Sequence, residues 1–285
     1  TTPTERNVHA LAMDGDFDDC QARLKDMFND FEFRDAVRLA VVNSINWRRV
    51  LAQVVYYFSA AVSLGAPHRA VSFTVPTGNF GDVFAGYIAK RMGLPIDRLL
   101  VATNQNDILH RCLNGRGYYK GETVPSISPS MDIQVSSNFE RALFDAYDRE
   151  APAIVQLMEE LQAGGFDVSQ GAMQVLQSHY ASGRASEEET SQTIAATLAA
   201  SGELLCPHTA VGVKVANEQR EQGVPMITLA TAHPAKFPDA VEAASGIRPP
   251  LPARMADLYD RSERLSRVPN DLAALNEHIK GHISA

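Results

Sequence analysis

Val71-Ser72-Phe73-Thr74-Val75-Pro76-Thr77-Gly78-Asn79-Phe80-Gly81-Asp82 runs from a β-branched, aromatic stretch into a glycine loop, and Asp82 to Met92 is helical by the spacing of its apolar positions. Gly93 and Pro95 close that helix, and Leu99 to Thr103 returns to strand chemistry. A strand, a glycine loop, a helix and a second strand in this order are a βαβ unit, whose two strands lie parallel in one sheet. The turn after the first strand points main-chain N–H groups along the helix axis, where the helix dipole adds about half a positive charge, so a phosphate is well placed there. Gly78 and Gly81 keep side chains out of the approach, Asn79 tolerates left-handed backbone angles, and Phe80 is expected to shield one side. Asp82 is expected to cap the helix rather than bind, because a carboxylate repels phosphate. A G-x-x-G loop taken alone is more often only a tight turn, so phosphate binding needs further support.

Outward from this unit the pattern stays α/β. Upstream, Asn7 to Ala12 reads as a short strand, Phe17 to Asn29 as a helix with acidic residues at its start, and Leu39 to Val42 as a strand. Asn43-Ser44-Ile45-Asn46 offers capping residues for a helix from Trp47 through Leu64. Downstream, Asn138 to Leu161 and Glu187 to Ala200 read as helices, Leu204-Leu205 and Val224 to Leu229 as strands, and Thr209 to Glu221 as the helix between them. The spacing predicts an α/β fold: a doubly wound, mostly parallel sheet with a helical insertion at about 138–200. The expected division is 1–65 as part of a smaller α/β domain, 66–245 as the domain bearing the glycine loop, and 246–285 as a helical tail.

With 285 residues, 45% hydrophobic and 21% charged, the chain is long enough for a large core. A formal net charge of -8 without a basic patch disfavours nucleic acid as a partner. Cys20, Cys112 and Cys206 lie far apart, giving no disulfide framework or zinc spacing, and point to a cytoplasmic setting. The most apolar stretch, Val50 to Ala66, is broken by Gln53, Ser59 and Ser63 and falls short of the ~20 residues a membrane span needs, so no membrane partner is expected. The sequence starts without methionine or a signal peptide, which suggests that a longer chain was cut.

The string Val75 to Asp82 resembles the loop that holds the phosphate of pyridoxal phosphate (PLP) in threonine synthases, and other strings resembling that family stand in order upstream and downstream of it. They are Gly15 to Gln21, Asn43 to Arg49, Asn106 to Leu109, Ser130 to Ile133, Ser136 to Arg141, Pro207 to Gly212 and Thr231 to Phe237. The resemblance covers most of the chain and fades after about Ala244. It implies an incomplete type II PLP fold and, for the intact enzyme, conversion of O-phospho-L-homoserine and water to L-threonine and phosphate. A phospho-lyase of the same family, releasing 2-oxobutyrate, and a noncatalytic PLP- or phosphate-binding module are the alternatives. Members carry their Schiff-base lysine in a Ser-Phe-Lys-Asp-like motif, and none of the six lysines here, Lys25, Lys90, Lys120, Lys214, Lys236 and Lys280, stands in one. The resemblance therefore implies no catalytic lysine in this chain and an N-terminal segment outside it.

By the same resemblance, Thr77, Gly78, Asn79, Phe80, Gly81 and Thr231 are the cofactor-binding candidates, with Thr231 meeting the pyridine nitrogen. Thr228 competes for that role, but three residues along a strand the two side chains face opposite ways. Asn43, Ser44, Asn46, Arg48, His208, Thr209, His233 and Lys236 are the substrate-contact candidates, each with a plainer reading as a cap or a surface group. No role is assigned to Asn138, Glu140 or Arg141, and no metal is expected.

Overall fold

A computed structural model of the chain describes residues 5–15, 17–43 and 46–283. Along the chain, β1 (Ala10–Met13), α1 (Phe17–Asn29), α2 (Phe31–Ala36) and α3 (Trp47–Ser63) precede β2 (Val71–Pro76), α4 (Gly81–Arg91) and β3 (Ile96–Thr103). Next come α5 (Ile108–Arg111), β4 (Tyr118–Tyr119), α6 (Phe139–Ala146), α7 (Ala151–Gln162), β5 (Gly165–Phe166), α8 (Gln170–His179) and β6 (Tyr180–Arg184). The remainder is α9 (Glu187–Ser201), α10 (Pro207–Gln219), β7 (Met226–Thr228), α11 (Pro238–Ser245), β8 (Leu265–Val268) and α12 (Leu272–His282).

These elements form two compact units, residues 1–41 with 251–285, and residues 42–250. The boundary expected at residue 65 thus falls at 41, because α3 packs on α4. Gly86 makes that approach possible: a Cβ there would stand 2.5 Å from the Tyr57 ring of α3. Tyr57 is itself fully buried, with its ring 4.7 Å from that of Phe73 on β2. In the other unit the tail is not purely helical, since β8 pairs in parallel with β1, Ala10 opposite Leu265.

The main sheet of residues 42–250 has the order β6-β3-β2-β7 with every pairing parallel. All six residues of β2 are buried, as a central strand covered on both faces requires. From β2 the chain moves to β3 and β6 on one side, then returns through α9 and α10 to place β7 on the other side of β2. The strand order therefore reverses between β2 and β7, and in open parallel sheets the crevice beyond the strand ends at such a point is where ligands bind.

Three expected elements differ. Leu39 to Val42 and Leu204-Leu205 form no strand. Leu205 instead packs with Ile194 and Ala210 as the chain enters α10. The expected helix Asn138 to Leu161 is two helices, α6 and α7, separated where Asp148 and Arg149 adopt positive φ. The segment read as a helical insertion also supplies a strand of the main sheet, β6, which follows α8 without a break.

Candidate functional site

At the β2 to α4 turn, Thr77 continues the strand by donating its N–H to Ala102 O (2.8 Å) and its hydroxyl to Val75 O (2.6 Å). Both its polar groups are thus engaged by protein. Phe80 then takes a left-handed conformation, φ 63°, which costs a non-glycine residue about 1–2 kcal/mol. Its ring offsets that cost by burial: it is 1% exposed and lies edge-on to Phe139 and Tyr180, at 5.2 Å from each. The ring therefore anchors the turn in the core and does not shield a ligand as expected. Gly78 is required by close approach, since a Cβ would stand 2.5 Å from Ser130 O.

The consequence is an open helix N-terminus. The N–H groups of Gly78, Asn79, Phe80, Gly81, Asp82 and Val83 donate to no acceptor among the described residues. These residues line a cavity of about 620 Å³ together with Ser130, Met131, His208, the Leu229–Ala232 segment after β7, Lys236, and Arg49, Gln53 and Tyr56 of α3. It lies where the strand order reverses.

Two ionisable groups in the wall are held in unusual states. Burial pushes the Asp82 carboxyl up to about 6, against the opposing influence of the Tyr57 hydroxyl and of Arg49. The Tyr57 hydroxyl donates to Asp82 O at 2.7 Å and lies 3.4 Å from its Oδ1, so Asp82 belongs to the α3–α4 junction and is not the helix cap. Burial, aided by Lys236, lowers His208 to about 4. Its Nε2 accepts the Ser130 N–H at 3.1 Å, so the neutral ring carries its proton on Nδ1, a buried atom with no partner among the described residues.

Of the sequence candidates, Thr77 to Gly81, Thr231, His208 and Lys236 come together around this cavity. Asn46 instead caps α3, its Oδ1 accepting from Arg48 N (2.9 Å), while Asn43 and Arg48 are outside the lining. Ser44 lies outside the described residues. Thr209 turns its hydroxyl to Cys206 Sγ (3.2 Å), which caps α10, and His233 accepts from Ala235 N (3.1 Å) to cap a short turn. Neither lines the cavity. Thr228 packs toward α10, since a Cβ on Gly212 would meet its methyl at 2.8 Å, which leaves Thr231 as the one of these two in the wall.

Sequence reasoning missed Arg49, Gln53 and Tyr56. They form an i, i+4, i+7 stripe beside the buried stripe Val50, Val54, Tyr57 and Ala61, so the helical period places them once the buried face is known. Ser130 and Met131 belong to a string to which the sequence assigns no role. Their loop is held by Asp132, which accepts from Asn104 Nδ2 (2.7 Å), Asn106 Nδ2 (2.9 Å) and the Ser126 hydroxyl (2.6 Å). Among the described residues, no group of three or more His, Cys, Asp or Glu is placed to hold a metal, and no helix is long and apolar enough to cross a membrane.

The profile of the family described as "Threonine synthase, C-terminal" matches residues 209–279. The chain is 52% identical to a threonine synthase of Pseudomonas aeruginosa, covering 99% of this chain and 61% of that protein. It is 42% identical to one of Corynebacterium glutamicum, covering 96% of this chain and 59% of that protein. Among solved structures, a PLP-bound threonine synthase from Brucella melitensis superposes with a TM-score of 0.93 at 55% identity, covering 100% of this chain and 62% of the other. Yeast threonine synthase superposes with a TM-score of 0.87 at 37% identity, covering 99% and 61%. The chain thus spans about three-fifths of the length of these relatives. Along that span its sequence and its α/β fold are similar to those of threonine synthases.

Proposed function

We propose that the chain is the cofactor-gripping part of a threonine synthase, acting on O-phospho-L-homoserine with PLP. The observation that carries this reading is the set of unpaired N–H groups from Gly78 to Val83, opening on a cavity at the strand-order reversal.

The residues present fit PLP. A phosphate matches the α4 N-terminus, and a cavity of about 620 Å³ is of the size that encloses cofactors. Thr231, just beyond β7, offers a hydroxyl to the ring nitrogen. When bound, PLP supplies an electron sink for the carbon chemistry of an amino acid. Because a hydroxyl does not hold that nitrogen protonated as a carboxylate would, this chain leaves proton transfer to groups beside the cofactor. The lysine that performs it lies, by family likeness, in the part of the relatives outside these 285 residues.

Arg49 and Lys236 are the cations in the wall. A substrate carrying both a phosphate and a carboxylate needs such cations, and the planar guanidinium of Arg49 suits a phosphate. Arg49, not Arg48, is therefore the arginine assigned to the substrate phosphate. His208, held neutral, adds no third charge. Free thiols at Cys20, Cys112 and Cys206 fit a reducing, cytoplasmic compartment.

The test is product analysis with the chain extended to the length of its relatives and supplied with O-phospho-L-homoserine and PLP. Threonine and phosphate in equal amounts are expected. Release of 2-oxobutyrate with phosphate would assign the phospho-lyase outcome instead, and no phosphate release would leave only a binding module.

A further inference from the structure

The string Ser136-Ser137-Asn138-Phe139-Glu140-Arg141 has no part in the cavity lining apart from its neighbours, yet it touches the glycine loop from behind. Ser136 Oγ donates to Gly78 O at 2.7 Å. Asn138 donates twice to Asn79 O, from its main-chain N–H at 3.1 Å and from Nδ2 at 3.0 Å. Ser136 and Asn138 are buried, Asn138 completely. Arg141 Nε in turn donates to Asn138 Oδ1 at 3.1 Å, which fixes the end of the amide that faces Asn79. The Arg141 guanidinium lies 5.5 Å from the Trp47 ring at the start of α3.

A trans peptide unit is planar, with its C=O and the N–H of the next residue pointing in opposite directions. Holding the Gly78 carbonyl from behind therefore aims the Asn79 N–H forward, and holding the Asn79 carbonyl aims the Phe80 N–H forward. Without these donors, either carbonyl turned into the cavity would set a partial negative charge against an anion. Phe139, next to Asn138, holds the Phe80 ring edge-on at 5.2 Å and so fixes the same turn from a third point.

We infer that Ser136 and Asn138 are positioning residues for anion binding: Ser136 aims the Asn79 amide, Asn138 aims the Phe80 amide, and Arg141 keeps the Asn138 side chain in register. This rests on the reading of the α4 N-terminus as a phosphate site. It gives a physical role to a string that neither composition nor spacing explains, and it links α3, through Trp47 and Arg141, to the loop that grips the anion.

The test titrates inorganic phosphate into the 285-residue chain and follows individual backbone amides by ¹H–¹⁵N spectroscopy, with Tm measured in parallel. In the parent chain, both the Asn79 and the Phe80 amide protons move downfield together. Ser136→Ala is expected to weaken phosphate binding about fivefold, one hydrogen bond's worth, and to shrink mainly the Asn79 response. Asn138→Ala is expected to weaken it about tenfold or more and to shrink mainly the Phe80 response. Ser136→Thr, which keeps the hydroxyl, restores the parent behaviour. If Asn138→Ala does not fold, Arg141→Met replaces it, with a smaller loss at Phe80 alone. No phosphate response at either amide in the parent chain would remove the site reading and this inference with it. A parent response with unchanged affinity in the variants would overturn the inference alone, as would equal loss at both amides tracking a fall in Tm.

Discussion

The loop from Thr77 to Asp82 and the α3 stripe of Arg49, Gln53 and Tyr56 face one cavity but are built in opposite ways. In the loop the Phe80 ring is in the core, the Thr77 hydroxyl donates to Val75 O, and the main-chain N–H groups are left open at the cavity. The stripe turns its side chains outward, with Arg49 and Tyr56 exposed and their backbone locked in helix. A rigid main-chain cradle suits the constant part of a ligand set, the phosphate of a cofactor. Long polar side chains suit the part that arrives and departs. Substitutions should therefore separate the two regions by what they damage, stability in the first and affinity in the second.

The largest effect is expected at Phe80. Phe80→Ala keeps the left-handed cost and loses the buried ring, so denaturant unfolding should show a loss of about 3–5 kcal/mol. A loss under 1 kcal/mol would mean the turn is not held by its ring. Next is Gly78→Ala, where a Cβ pressed on Ser130 O must move main chain. About 1–3 kcal/mol should be lost, together with phosphate affinity.

Asp82→Asn sharpens the comparison through pH. The folded carboxyl titrates at about 6, above the ordinary 3.8. Between these values the folded state binds more protons than the unfolded one, so the parent chain loses stability as pH rises through this window. Asp82→Asn should match the parent near pH 4 and exceed it by about 2–3 kcal/mol above pH 6. A parallel pair of stability profiles would place the Asp82 carboxyl in water. Tyr57→Phe should cost about 1 kcal/mol and move the Asp82 titration further up, since the lost hydroxyl favours the carboxylate. Arg49→Gln should have the smallest effect on stability, within about 0.5 kcal/mol, while weakening binding of O-phospho-L-homoserine to the extended chain. A large fall in Tm would show Arg49 to be structural.

The same contrast explains what the sequence made legible. The βαβ unit was readable because β2 and β3 are runs of apolar, β-branched residues separated by an uninterrupted helical period, and because Gly78 and Gly81 mark the loop between them. β6 was not, because Tyr180-Ala181-Ser182-Gly183-Arg184 has little strand propensity and earns its place only by pairing with β3, Leu99 opposite Tyr180. The apolar pair Leu204-Leu205 misled in the other direction, since burial of Leu205 needs only a packed loop. At the site, the glycine loop announced itself, but the close approach that requires a glycine at position 78 is that of Ser130 O, which the sequence does not show. Arg49 and Arg48 are adjacent in sequence, and only the phase of α3 against α4 decides which one faces the cavity. The role of Asn138 was invisible because its partner, Asn79 O, is main chain 59 residues away.

The claim beneath these predictions is that an anion rests on the main chain where β2 turns into α4. Its most direct test is a crystal structure of the chain grown with PLP. The account predicts phosphate oxygens about 3 Å from the N–H groups of Asn79 to Asp82, with the pyridine ring toward Thr231. Phosphate density elsewhere, or those N–H groups closed off by protein, would contradict it.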